Sequence, residues 1–549
     1  MISEAYPATP SLSSIIQGCI RWWAESKASN EAPPSPALRK VFIAVLVVAW
    51  TLVVITKKWR KEKLRLPPGP RGLPLVGNLP FLDRNLHQHL AELASTYGNI
   101  FSLRLGRKLC IVVSSPALAK ELLKDKDATF ANHDVPTAAM VLPNGLHGMA
   151  WAPHGMQWRM LRKLAVGEML SNTRLEIFRD VRRAEVQQMV RRVYDNAETP
   201  LAIREMLFAT LFDVLMGMLW GTGTLKDPSM KEKGEEFRLV VRQILGSFGQ
   251  LSISDFFPFL APFDLEGLER KRKKIADRLN QILDSIIDLK KAESGEQESK
   301  EFLLVLLRMQ ERGDSTMPLT RSHIKGLIMD LVMAGMDTTA VTSEWVMAEL
   351  IKHPEMMRRV QQELNEVIGT DNVVEESHLS RLRYLSAVVK EAMRLHPAAP
   401  LMLPRTPSET STLGGYSVPK GTRVLVNMWA IERYPENWEN PSEFNPERFM
   451  TNDRKWDFSG NDFHFFPFGS GRRICPGAPF ADRMLMYGLA TLLHSFNWRL
   501  PDGAELDLAE KFGMVLRKAD PLVLVPTPRL SKAALSSSLS SNFKDNIFT

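Results

Sequence analysis

The thirteen residues FFPFGSGRRICPG, 465 to 477, carry the densest chemistry in the chain. Gly469, Gly471 and Gly477 bracket one cysteine, Cys475, and glycines let a backbone turn tightly and aim several N–H groups at one atom. A thiolate that ligates iron needs that setting, because hydrogen bonds to sulfur and an apolar wall tune its charge and redox potential. Phe468 can supply the wall. Arg473, two residues from the cysteine, can pair with a haem propionate, and Pro476-Gly477 opens a helix from Phe480 to Phe496. A glycine-flanked buried thiol is the bland alternative, and the set intervals between Phe468, Gly471, Arg473, Cys475 and Gly477 argue against it. A second group is AGMDTT, 334 to 339, in a long apolar stretch from Ser322 to the residue before Pro354. Threonine hydroxyls there can take the carbonyl four residues back and bend the helix, although a satisfied polar pair is the competing reading. A third is KEAMRLHP, 390 to 397, where Glu391 and Arg394 share a helix face. An exposed pair of that kind contributes only about 0.3–0.5 kcal/mol and by itself says nothing of function. Of the two remaining cysteines, Cys110 reads as a small buried hydrophobe and Cys19 falls in an N-terminal tail; no paired spacing of the zinc or disulfide kind occurs.

These segments make the chain resemble the cytochrome P-450 superfamily, whose haem-binding signature F-x-x-G-x-R-x-C-x-G is matched at every fixed position. Three further motifs follow the family's order, and the resemblance spans Leu66 to Leu530. It implies a mainly α fold with a large helical part and a small β-rich part. It implies haem b ligated by Cys475, and electrons from NADPH delivered by an NADPH-cytochrome P-450 reductase. It places Thr338 beside dioxygen and makes Asp337 the link to solvent protons. It buries Glu391 and Arg394 together with Arg448 of Pro446-Glu447-Arg448-Phe449 as a structural network. It offers as cations for the propionates Arg473, Arg162 of the Trp158-x-x-x-Arg162 element, whose other reading is a surface charge on an amphipathic helix, and Arg405 in LMLPRTPSE.

PPGPRGLPLVGN, the Asp-Thr-Thr step and ENPSEFNPERF resemble the plant microsomal branch, and LRLGRKLCIVVSSPALAKELL, QWRMLRKLAVGEMLSN and EKFGMVLRKADPLVLVPTPRLS look closest to a clade of sesquiterpene and flavonoid hydroxylases. The segments that line the pocket in that family are here 136 to 153, 245 to 262, Met333 and Met336, 398 to 404, and 512 to 516. They are rich in Ala, Leu, Met and Phe, which suits a small hydrophobic substrate such as a sesquiterpenoid. A flavonoid or other phenylpropanoid is the alternative. A haem-thiolate isomerase or a haem carrier is the rival from another class, and the intact Asp337-Thr338 groove speaks against both.

Positioning these groups takes a large body, and 549 residues, 44% hydrophobic and 24% charged, can bury one. Helical spacing marks 155 to 170, 173 to 195, 201 to 220, 266 to 292, 322 to 353, 354 to 368 and 480 to 496. IFSLRLGRKLCIVVS, 100 to 114, reads as a strand hairpin turning at Gly106. The net charge of +8 is concentrated: eight basic residues against Glu62 between Arg39 and Arg65 give +7, leaving +1 for the rest, so no basic face for nucleic acid is expected. Residues 41 to 56, sixteen uncharged and almost wholly apolar residues of about 24 Å as a helix, read as a single-pass transmembrane anchor in the thin endoplasmic reticulum membrane, in preference to a signal peptide or a buried core helix. The heavier basic cluster follows the span, which puts the catalytic part in the cytosol. The expected division is a lumenal tail at 1 to 40, the anchor, a basic and proline-rich linker at 57 to 78, a haem-thiolate monooxygenase domain at 79 to 530, and a disordered serine-rich tail at 531 to 549. No phosphate-cradling G-x-G-x-x-G unit occurs, so the electrons come from a partner.

Overall fold

A computed structural model describes residues 65–530, apart from 142–144, 222–227, 249–251, 294–299, 314–316, 452–453 and 455. The expected tails at 1 to 40 and 531 to 549, the anchor at 41 to 56 and most of the basic linker lie outside the described residues. Among the described residues no helix is long and apolar enough to cross a membrane.

The apolar periodicities become helices wherever a cap and a stop bound them. In chain order the helices of ten or more residues are α1 (Leu86–Tyr97), α2 (Met156–Ala165), α3 (Arg179–Asp195), α4 (Ile203–Trp220), α5 (Pro228–Phe248) and α6 (Leu268–Glu293). They continue with α7 (Phe302–Arg312), α8 (Arg321–Lys352), α9 (Pro354–Ile368), α10 (Arg383–Leu395) and α11 (Ala478–Ser495). Helix α8 is the longest of the described helices, at 32 residues. The Thr320 side chain accepts from the His323 N–H and the His323 ring accepts from the Thr320 N–H, a reciprocal cap that starts it. Pro354 then opens α9 and forces the break at His353. Between those ends α8 is buried on nearly every side against α4, α10 and α11, as an all-round apolar helix must be.

The strands are short. β1 (Ile100–Leu105) and β2 (Lys108–Val113) form the expected hairpin, with Gly106 at φ 60° and Phe256 O only 2.8 Å from where a Cβ would stand. A five-stranded sheet continues from β2 through β3 (Asn132–His133), β4 (Arg405–Thr406) and β5 (Arg423–Val426), in the order β1-β2-β5-β4-β3. β2 runs parallel to β5, and β3 pairs antiparallel with β4 so that His133 stands opposite Arg405. Further on, β6 (Glu510–Lys511) and β7 (Arg517–Lys518) make a two-stranded ribbon. The main core fills the space among the helices, and two smaller cores cover the sheet.

The proline-rich stretch is part of this body. Ser102 N–H donates to Pro68 O at 2.7 Å and Asn78 N–H to Arg104 O at 2.6 Å, so 66–78 lies along β1, and the compact unit begins at Leu66 instead of 79. Prolines without N–H donors fit there because a sheet edge needs only their carbonyls.

Candidate active site: a thiol facing a cationic cavity

Cys475 closes a loop that only glycines permit. Its N–H donates to Phe468 O at 2.9 Å, which folds 468–475 back on itself. Gly469 and Gly471 adopt φ of 75° and 70°, and a Cβ on Gly471 would stand 2.2 Å from Leu123 O. The sulfur then meets the N–H groups of Gly477 and Ala478, at the start of α11. Burial pushes the thiol up from its ordinary value, while those two N–H groups and the Arg162 charge work the other way.

Beyond the sulfur lies a cavity of about 900 Å³. Trp158, Arg162, Arg405, Phe468, Arg473, Asp337, Thr338 and Cys475 all line it, so the structure brings together every site residue expected from the sequence. Phe468 packs edge-on against Phe458, with ring centroids 4.9 Å apart. On α2, Trp158 and Arg162 are one turn apart and share the inward face, leaving Arg159 and Lys163 exposed outside. Trp158 lies 4.6 Å from the Arg473 guanidinium and 5.6 Å from that of Arg162, so its ring faces both cations.

Arg473 donates to three backbone carbonyls, those of Ala131 at 2.7 Å, Met149 at 3.0 Å and Ala152 at 2.6 Å. That occupies three of its five N–H donors. Burial, with the charges of Arg405 and Arg162, pushes Arg473 down to about 9. Arg405 is buried in β4 and burial pushes it down to about 10; its Nε and Nη1 have no partner. None of Arg162, Arg405 and Arg473 makes an ion pair with a carboxylate among the described residues. Three like charges and two orphaned donors around one hollow call for an anionic occupant. One soft sulfur donor and a cationic rim fit a haem, with Cys475 on the iron and the arginines on the propionates.

Helix α8 forms the opposing wall. Ala334 and Thr338 stand one turn apart with surface open to the cavity, and the Thr338 hydroxyl donates to Ala334 O at 2.6 Å. Thr342 and Ser343 back-bond likewise, at 2.9 Å and 3.0 Å. The helix nevertheless stays helical throughout; the Asp-Thr-Thr step redirects hydroxyls without interrupting it. Asp337 is buried and ion-paired with Arg517 of β7, so its way to water passes a side chain that is one-third exposed.

Among the cavity residues that sequence reasoning missed are His133, Asp330 and Arg517. Asp330 had a signal, since 330, 334 and 338 recur at the four-residue interval of one helix face. Burial pushes its carboxyl up to about 7, against the N–H groups of Ala150 and Met149 that it accepts. His133 is visible only through the β3–β4 pairing that sets it opposite Arg405; burial and the charges of Arg405 and Arg473 hold it well below its ordinary value, so it stays neutral. Among the expected pocket segments, Met333 lines the cavity but Met336 is fully buried in the core. Leu245 and Phe248 face inward, whereas Phe259 and Phe263 point to solvent at 57% and 67% exposure.

Away from the cavity, the Glu391 carboxylate takes two bonds from Arg394, at 2.7 and 2.8 Å, and one from Arg448 at 3.3 Å. Arg394 also donates to the carbonyls of Glu432, Pro441 and Glu443. This is the expected structural network, fully buried at the Glu391–Arg394 pair.

Comparison with known proteins agrees with this geometry. The cytochrome P-450 family model matches residues 67–525. Carnosic acid synthase of Rosmarinus officinalis is 39% identical over 84% of this chain and 93% of its own. Flavonoid 3'-monooxygenase of Petunia hybrida is 36% identical over 90% and 98%. A zebra fish cytochrome P-450 solved with progesterone superposes with TM-score 0.68 at 28% identity, over 80% of this chain and 99% of that one. The chain therefore belongs to the cytochrome P-450 family: it is a haem-iron monooxygenase that takes NADPH-derived electrons through a reductase.

Proposed function

We propose that the enzyme hydroxylates a small hydrophobic plant metabolite, a sesquiterpenoid hydrocarbon or mono-alcohol, consuming one dioxygen and one NADPH with a proton to give the alcohol, water and NADP+. Bound haem supplies the reduction of dioxygen and the oxidising equivalent. The residues of this chain do the rest. Cys475 holds the iron, Arg162, Arg405 and Arg473 hold the propionates, and Trp158 and Phe468 wall them from water. The Thr338 hydroxyl holds a proton at the cavity surface, and Asp337, one residue away, connects that position to Arg517 and the outside.

The observation that carries the substrate reading is the lining beyond Thr338. Leu245, Phe248, Met329, Met333, Phe512 and Val515 offer apolar area, and the Asp330 carboxyl offers one acceptor beside them. Such a wall binds mainly by burial with few orienting bonds, which suits one hydroxyl better than several. The likeness to flavonoid 3'-monooxygenase keeps a flavonoid as the second reading. We further place the enzyme on the endoplasmic reticulum membrane through residues 41 to 56, with the body cytosolic. The test is a reductase-supplemented microsomal screen of sesquiterpene hydrocarbons, their mono-alcohols and flavanones, read as NADPH-dependent product. Turnover of flavanones alone would replace the first reading by the second.

A further inference from the structure

The cavity wall built by 511–518 hangs on very little backbone. β6 and β7 pair through only two couples, Glu510↔Lys518 and Lys511↔Arg517, and so short a ribbon does not hold itself in water. Yet its tip, Phe512 to Val515, is cavity surface. Buried side chains supply the missing grip. At β6 the Glu510 carboxylate is buried, and its Oε2 meets His87 Nε2 at 2.8 Å and Gln88 Nε2 at 2.7 Å. Its Oε1 faces His396 Nδ1 and Trp429 Nε1, each at 3.4 Å. His396 turns its other nitrogen to Glu349 Oε1 of α8 at 2.7 Å. The His396 ring lies flat on Trp345, with centroids 3.9 Å apart and planes 4° off parallel, and Trp345 Nε1 donates to Leu516 O at 3.1 Å. One stacked pair thus reaches both sides of the ribbon. The His87 ring also stacks on Phe512 of the tip, at 5.6 Å.

We propose that Glu510 is a positioning residue for the reaction. It fixes Phe512 to Val515 against the substrate by tying the ribbon, through His396 and Glu349, to the helix that carries Asp337 and Thr338. Glu510 itself does not line the cavity and acts only through its partners. Burial works to raise its carboxyl, but the bonds from His396 and His87 and the nearby Arg433 charge hold it well below the usual carboxylate range, so the anchor stays ionised.

The test uses the haem-loaded full chain in phospholipid nanodiscs, with imidazole and clotrimazole as iron ligands of small and large bulk. Glu510→Ala should keep the ferrous carbon-monoxide Soret band of a thiolate haem and bind imidazole within about twofold of the parent, while clotrimazole binding weakens about tenfold. Amide exchange over 511–518 should quicken by about tenfold as well. Glu510→Gln keeps the side-chain length and one acceptor oxygen, so it should fall between the two. Unchanged exchange in both variants overturns the proposal. So does faster exchange with an unmoved clotrimazole-to-imidazole ratio, which would make the anchor purely structural. If Glu510→Ala loses the Soret band, Glu510→Gln decides by the same two criteria.

Discussion

At the scale of single residues, two cysteines of one chain are set to opposite tasks by their surroundings. Cys110 is fully buried in β2, and burial raises its thiol to about 12, an inert hydrophobe. Cys475 faces the cationic cavity with two N–H groups on its sulfur. Cys475→Ser should abolish the thiolate Soret band and turnover, whereas Cys110→Ser should leave both as they are. Thr338→Ala removes the hydroxyl that lies on the cavity wall one turn from Ala334. It should retain haem and substrate binding while shifting the reducing equivalents from product to hydrogen peroxide, measured as peroxide per NADPH. Asp330 makes a prediction in pH. Its folded-state value, about 7, stands above the ordinary 3.8, so it favours the folded state when neutral, and that contribution is lost as pH rises from about 4 through 7. Asp330→Asn keeps an acceptor for the Ala150 N–H without the charge. It should gain roughly 1–3 kcal/mol over the parent at pH 8 and much less at pH 5, read as a difference in melting temperature. Cys475, Arg473 and Thr338 were legible in the sequence because neighbours at set intervals announced them. Arg517 and His133 were not, because each reaches the site through a partner far away in the sequence, Asp337 and Arg405 respectively.

Elements were legible in proportion to how completely their own sequence determines them. Helices α8 and α4 announced themselves by apolarity on nearly every side, and α2 and α9 by one clean face. The stretch 173 to 195 reads as a single helix but divides at Phe178, because Ser171 caps a first piece, Asn172–Ile177, before α3 begins. Helix α5 was missed. Its sequence holds Gly234 and Gly246 among many charges, and packing against α6 supplies what propensity lacks. The ribbon β6–β7 was read only as pocket lining, since two-residue strands show no alternation. Buried pairing also orders the expected losses. Glu391→Ala strands the Arg394 guanidinium with no carboxylate and should cost about 3–5 kcal/mol, with haem lost on mild heating. Arg448→Ala removes one longer bond to Glu391 and one to Asn440 O from a side chain nearer the surface. It should cost about 1 kcal/mol, and calorimetric melting separates the two.

For the whole molecule, charge and apolar surface decide what it touches. Arg159, Lys163 and Arg472 are exposed cations on α2 and the cysteine loop, and of these Arg472 is paired with Asp127 at 3.1 Å. Arg159→Glu with Lys163→Glu should therefore raise the reductase concentration needed for half-maximal turnover and flatten its dependence on salt. An unchanged salt profile would move the docking face elsewhere. Deleting residues 1 to 60 should release most of the protein from microsomes with its carbon-monoxide spectrum intact. A residual hold that survives high salt is expected from exposed Leu75, Phe81, Phe259, Phe263 and Leu265.

The clamp of Arg473 on Ala131, Met149 and Ala152 sets a timetable for synthesis. The guanidinium and the Ala131 carbonyl are 342 residues apart, so the wall beside the thiol has no fastener when it leaves the ribosome. At about 5–20 residues per second, that interval lasts roughly 17 to 70 s, far longer than a helix needs to form. Throughout it, Trp151 and Trp158 belong to no finished core, and a chaperone has that long to cover them. The centre that defines the enzyme is thus among the last things its chain can build, and a truncation anywhere before 473 yields helices without a site.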